Sequence, residues 1–123
     1  MTSFTDKPAF APQLCRKNNL MFFGPKTDLT AEQFVQKLQA EGGVVIDCRT
    51  RGESAEGTWP GAKVIDWMGG EMEGQMASLN KSQNHFLYCR SGARSGAATQ
   101  FLKSNGFDNV YNLGGFGSIA HLA

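Results

Sequence analysis

Only three cysteines occur among the 123 residues, Cys15, Cys48 and Cys89, and none belongs to a Cys-x-x-Cys pair. An odd number at wide spacing excludes a closed disulfide scaffold, and the absence of any Cys/His cluster excludes a zinc centre of ordinary ligand spacing. Such cysteine usage favours a reducing compartment, so the cytoplasm is the expected location. Long apolar runs are missing as well. Leu20-Met21-Phe22-Phe23 is too short for a signal-peptide core, and nothing approaches the ~18 apolar residues of a membrane span. Excess charge is absent too: 12 basic against 11 acidic residues give a net charge of +1, which argues against a general polyanion binder. Neither nucleic acid nor a membrane is an expected partner. One absence is local. No acidic residue lies between Glu73 and Asp108, while Lys81, Arg90, Arg94 and Lys103 all do. That interval is either an ordinary solvated face or a local positive field.

What is present suits one domain with a modest core, with 41% hydrophobic and 19% charged residues. Residues 1–26 hold Pro8, Pro12 and Pro25 among polar residues with no sustained period. They read as an extended arm, ordered in part near Leu20 to Phe23, with the domain proper at 27–123. Thr30-Ala31-Glu32-Gln33 fits a capping box, and Phe34, Val35 and Leu38 fall on one face, which predicts a helix from Ala31 to Ala40 stopped by Gly42-Gly43. Val44-Val45-Ile46 is an apolar, β-branched run suited to a strand covered on both faces, ending at Asp47. Cys48 to Thr58 is then loop or short helix, Trp59-Pro60-Gly61 a turn and Ala62 to Asp66 a second strand. Gly69 to Leu79 carries Met72, Met76 and Leu79 at helical spacing, a stripe that reads as core filling. His85 to Tyr88 is a strand, Ser95 to Lys103 a helix capped at Asn105-Gly106, and Val110-Tyr111-Asn112 a last strand before a helical turn within Gly117 to Leu122. Strands alternating with helices imply a parallel sheet, an α/β fold with helices on both faces.

The chemistry converges on Tyr88-Cys89-Arg90-Ser91-Gly92-Ala93-Arg94-Ser95. Cys89 to Arg94 is the turn between a strand and a helix. Backbone N–H groups of a tight, small-residue loop entering a helix point one way, and with the helix dipole they stabilise an anion at the loop centre, where Cys89 sits. Its thiol should titrate below the usual ~8.5, toward the nucleophilic thiolate. A lone cysteine is commonly a buried hydrophobe, but here the neighbours are hydrophilic loop formers. Arg90 and Arg94 either hold an oxyanion or are solvated side chains; Gly92 supplies positive φ or close backbone approach. No Cys-His dyad follows from the spacing of His85 or His121.

This loop, with Asp47-Cys48-Arg49, Trp59-Pro60-Gly61-Ala62 and Asn112-Leu113-Gly114-Gly115 in order around it, resembles the single-domain rhodanese family of sulfurtransferases. The resemblance extends from Leu29 to the C-terminus. It implies a three-layer α/β/α architecture with a five-stranded, mostly parallel sheet. It also implies sulfurtransferase activity: Cys89 takes the sulfane sulfur of thiosulfate or a persulfide donor, becomes a persulfide, and passes the sulfur to cyanide or a thiol. Cys89 is then catalytic, with Arg90, Ser91, Gly92, Ala93 and Arg94 binding the donor and Asp47, Arg49 and Ser95 behind them. Neither a metal nor an organic cofactor is implied, and the protein is expected as a monomer or weak dimer.

Asp47 and Arg49 match the family's Asp-x-Arg, and the structural reading is favoured for both. Cys48, at a position often apolar in the family, is a packing residue or a second thiol near the site. Cys15 reads as incidental. Trp59 and Trp67 close the core or line the pocket mouth, core being the preferred reading; Thr58-Trp59 departs from the family's His-Ile pair. Two other functions compete. A dual-specificity-type phosphatase or arsenate reductase needs five residues between Cys and Arg, whereas four separate Cys89 from Arg94. A non-catalytic rhodanese-like binding or sensing module commonly lacks the cysteine that this chain keeps.

Overall fold

The computed structural model describes residues 27–123. The expected order near Leu20 to Phe23, the extended arm and Cys15 lie outside those residues. From Leu29 onward the chain alternates helix and strand. Helix α1 spans Ala31–Glu41, β1 Val44–Asp47, α2 Arg51–Ser54, β2 Lys63–Val64, α3 Glu71–Met76, β3 His85–Cys89, α4 Ala93–Ser104 and β4 Val110–Gly115. Two 3₁₀ turns, Phe116–Ser118 and Ala120–Leu122, follow. The four strands form one parallel sheet in the order β2-β1-β3-β4. The sheet is therefore one strand smaller, among the described residues, than the five the resemblance implied. Among the described residues, the pairing beside β4 is short: Asp28 N–H donates to the Asn112 carbonyl at 2.8 Å.

Alternation along the strands divides the core in two. Val45, Phe86, Tyr88 and Leu113 face one side with Phe34, Val35 and Leu38 of α1 and with Ile119. Ile46, Cys48, Leu87 and Cys89 face the other with Met72 of α3 and Ala98 and Leu102 of α4. This is the expected three-layer α/β/α arrangement. Trp59 packs edge-on against Phe34 at 4.8 Å and is core, whereas Trp67 lies partly buried beside Phe101. The methionine stripe is core filling as well, with Met72 buried and Met76 packed against it.

Several elements differ in extent, and the last strand, expected over Val110 to Asn112, runs on to Gly115. The helix expected over Gly69 to Leu79 is confined to Glu71–Met76, because Gly70 enters it in a left-handed conformation and tight turns follow Gln75 and Met76. The strand expected over Ala62 to Asp66 pairs only at Lys63–Val64, since it is an edge strand with β1 alone for a partner. Helix α4 begins at Ala93, two residues before the expected Ser95.

Candidate active site

Cys89 ends β3 with no surface exposed. The chain then turns through Arg90, Ser91 and Gly92 and enters α4 without a side-chain cap, so the first-turn amides of that helix remain available. The Gly92 N–H donates to Cys89 Sγ at 2.9 Å, and its φ of +99°, in the left-handed region that a side chain rarely adopts, then turns the chain into α4. Behind the loop, Gly115 passes so close that a Cβ there would lie 2.5 Å from the Arg90 carbonyl oxygen.

Ser95 completes the cradle. Its Oγ lies 3.5 Å from Cys89 Sγ. Burial pushes the Cys89 thiol up, but hydrogen bonds from the Ser95 hydroxyl and from the Ser95, Gly92 and Ser91 amides outweigh it, and the thiol sits below its ordinary value. The leading donors are thus amides and a hydroxyl rather than guanidiniums.

The arginines are engaged elsewhere. Arg94 forms a bidentate pair with Glu53 of α2, Nη1 to Oε1 at 2.8 Å and Nη2 to Oε2 at 3.0 Å. Arg90, largely exposed, approaches the same carboxylate at 3.6 Å. Glu53 is held in place by a capping box on α2, accepting from Thr50 N–H at 3.0 Å while the Thr50 hydroxyl accepts from Glu53 N–H. The Arg94 pair, together with the Thr50 amide, draws the Glu53 carboxyl down to about 2. The acid-free interval around the loop is therefore met by a carboxylate from α2, a partner distant in sequence. Glu53 was missed by the sequence reading, although Thr50-x-x-Glu53 repeats the spacing recognised at Thr30-x-x-Gln33.

Asp47 and Arg49 lie on the other face of the sheet from Cys89, with Tyr88. Arg49 Nη2 donates to Asp47 Oδ2 at 2.7 Å and Nε to Oδ1 at 2.9 Å, while the Tyr88 and Ser54 hydroxyls each donate to Oδ2 at 2.9 Å. Burial opposes ionisation of Asp47, but the Arg49 bonds and these hydroxyls win, and its carboxyl lies below the usual range. Tyr88 in turn accepts from Trp59 N–H, and burial with the Asp47 charge pushes its phenol up to about 12. This network fastens β1, β3 and the Trp59 turn beneath the site.

Cys48 is fully buried on the same face as Cys89, in the register position after Asp47↔Tyr88. Burial, then the neighbouring Cys89 and Asp47 charges, push its thiol up and keep it neutral. Asn112 was not singled out by itself in the sequence. Its side chain bonds to Ser95, Gly92 and Gly114 within the core of the site; a polar residue inside the run Val110-Tyr111-Asn112-Leu113 was the available signal. Among the described residues no group of His, Cys, Asp and Glu could hold a metal ion, and no helix is long and apolar enough to cross a membrane.

Known proteins share this architecture. A sulfurtransferase from Allochromatium vinosum is 33% identical over 89 residues, covering 72% of this chain and 81% of its own. A tRNA uridine(34) hydroxylase from Leptospira interrogans is 34% identical over 98 residues, 76% of this chain, which spans about a quarter (27%) of that longer protein. The crystal structure of a rhodanese-like domain protein from Staphylococcus aureus superposes with a TM-score of 0.66 at 28% identity, covering 76% of this chain and 91% of that one. The human single-domain sulfurtransferase TSTD1, at 21% identity and TM-score 0.64, covers 80% of this chain and 98% of its own and shares the fold. The rhodanese-like domain profile matches residues 30–121, from the capping threonine of α1 through the cysteine loop to the last 3₁₀ turn, and the chain belongs to that family.

Proposed function

We propose that the protein is a sulfurtransferase in which Cys89 carries the sulfur as a persulfide. The observation that carries this reading is the cradle itself: a buried sulfur met by the Gly92 N–H at 2.9 Å and the Ser95 hydroxyl at 3.5 Å, with its thiol drawn below the ordinary value by hydrogen bonds. A thiolate so formed needs no general base. It attacks the outer sulfur of thiosulfate, the sulfur–sulfur bond breaks, and sulfite leaves with the electron pair, so Cys89 holds an anionic persulfide. Cyanide or a thiolate then attacks that outer sulfur and restores the Cys89 thiolate. The amides stabilise negative charge on sulfur at each stage, and as parts of the chain they need no reorganisation when it forms.

No metal or organic cofactor enters this scheme. Thiosulfate is the probe donor of choice, and the sulfurtransferase names among the relatives support the transfer class. The reading carries a first prediction. Cys89→Ser keeps the volume but cannot form a persulfide, so thiosulfate:cyanide turnover should vanish with little change in melting temperature. Mass spectrometry of the wild type after thiosulfate should find one added sulfur on the peptide containing Cys89. Turnover in Cys89→Ser equal to wild type would overturn the proposal.

A further inference from the structure

Ser95 has one hydroxyl proton and three acceptors in reach. Its Oγ stands 2.7 Å from Asn112 Oδ1, 3.3 Å from the Gly92 carbonyl and 3.5 Å from Cys89 Sγ. The shortest contact takes the proton when sulfur is neutral. The orientation of the Asn112 amide follows from its other partners, because Oδ1 accepts from Gly114 N–H at 3.0 Å and Nδ2 donates to the Gly92 carbonyl at 3.3 Å. Asn112 is itself buried at 2% exposure, and its backbone N–H donates to Asp28 Oδ2 at 2.8 Å. It lies where β4 slips register against β3: Leu87 pairs with Asn112 but Tyr88 with Gly114. The bulge turns Gly114 N–H toward the Asn112 side chain.

We propose that Asn112 is a positioning residue for sulfur transfer: it holds the Ser95 hydroxyl and the Gly92 peptide around Cys89 and serves as the alternative acceptor for the Ser95 proton. With Cys89 as a thiol, the hydroxyl donates to Asn112 Oδ1. With Cys89 as a thiolate or persulfide anion, the proton rotates about the Cβ–Oγ bond onto sulfur. No heavy atom has to move, since Sγ is already within hydrogen-bond reach. Asn112 Oδ1 is not orphaned by the rotation, because Gly114 N–H still donates to it. The buried sulfur can thus lose and regain its proton without leaving a polar atom unsatisfied.

The inference rests on Cys89 being the sulfur carrier, but its test reads the cradle without any donor. The charged and titratable groups near Cys89 and Asn112 include Arg90 in the loop, Arg94 on α4, Glu53 on α2, Cys48 after β1, Asp66 after β2, which acts on Arg94, and Asp28, whose carboxylate accepts from the Asn112 N–H, and they stay unchanged throughout. Iodoacetamide alkylation of Cys89, followed by peptide mass spectrometry across a pH series, is measured for wild type, Asn112→Asp, Ser95→Ala and the double variant. Asn112→Asp keeps both acceptor roles but binds the Ser95 proton more strongly, so the alkylation midpoint should rise by about 1 pH unit. In the Ser95→Ala background the same change should raise it by less than half as much, because only the added charge and the lost Nδ2 bond to the Gly92 carbonyl remain. Equal rises in the two backgrounds, or none in the first, would overturn the proposal. If circular dichroism shows Asn112→Asp unfolded, Asn112→Ser takes its place in the cycle. The lost bond to the Gly92 carbonyl acts in both backgrounds and cancels from the cycle. With the competing acceptor gone, the midpoint of the Ser95 background should therefore shift lower, relative to its parent, than that of the Ser95→Ala background; equal shifts or the opposite order overturn the role. Loss of transfer in these variants with unchanged midpoints would likewise count against it. A wild-type persulfide that fails to form, with the cycle behaving as stated, would instead sink the sulfurtransferase reading alone.

Discussion

At the scale of single residues, the two loop arginines differ in what they hold. Arg90 is 72% exposed at the side chain and 3.6 Å from Glu53, a geometry whose ion pair contributes little. Arg94 is 18% exposed and gripped by both carboxylate oxygens. Replacing Arg90 by Gln should therefore raise the thiosulfate KM only a few-fold. Replacing Arg94 by Gln removes a cation and leaves Glu53 unpaired beside an anionic substrate. Its kcat/KM should fall by roughly ten- to a hundredfold, the scale of one lost charge-assisted contact of ~1.5–3 kcal/mol. Steady-state kinetics in low and high salt check this, and equal losses in the two variants would contradict the assignment of Glu53 to Arg94.

Among the elements, two capping boxes of the same pattern have different consequences. Thr30 caps α1 with Gln33, on the opposite face of the sheet from Cys89, whereas Thr50 caps α2 with Glu53, which grips Arg94. Thr30→Ala and Thr50→Ala should each lower stability by about 1 kcal/mol, since each removes an N-cap hydroxyl. Only Thr50→Ala should also change thiosulfate kinetics, because it removes the hydroxyl that donates to Glu53 Oε1 at 3.1 Å and caps the turn carrying it. Its loss loosens the carboxylate that grips Arg94; thermal melts and assays on both variants test the distinction. The first box was legible in the sequence because an apolar face follows it at helical period. The second was not, because α2 is a single turn among polar residues and only the four-residue spacing marks it. Strands β1 and β3 were readable as apolar runs and the cysteine loop as strand, turn and helix. The length of β2 was not, since pairing at a sheet edge is decided by the neighbour rather than by its own residues. Nor were the partners of Arg94 and Ser95, which come from positions distant in sequence and meet only when β4 and α2 close on the loop.

For the molecule as a whole, acid should act in two stages. His85 is fully buried at the start of β3, edge-on to Phe107 at 5.3 Å, and neither ring nitrogen has a hydrogen bond of regular geometry. Burial lowers its pKa below 6.5, and the Gln83 backbone offsets this only in part. The unfolded chain therefore binds a proton that the folded one refuses, so stability is full above pH 6.5 and declines as pH falls below it toward the depressed folded value. Glu53 and Asp47 carry the opposite ionisation and act lower: stability present above the unfolded carboxylate pKa is lost as pH falls through their depressed folded values, about 2 for Glu53. Urea unfolding of wild type and His85→Leu across this range should show the upper decline in the wild type and its absence in the variant. A wild-type curve that is flat until the carboxylates titrate would contradict the account of His85.

The sulfur cradle is made chiefly of main-chain N–H groups, and this gives the family fold an uneven tolerance to mutation. Peptide amides survive almost any side-chain replacement, so substitutions at Arg90, Ser91 or Ala93 leave the N–H groups that meet Cys89 in place. The vulnerable positions are those with no side chain. A single methyl group at Gly115 meets the Arg90 carbonyl at 2.5 Å, and one at Gly92 is strained by a φ of +99°. The geometry of the site is therefore written in the chain's path, and its most sensitive positions are glycines rather than the side chains at its rim.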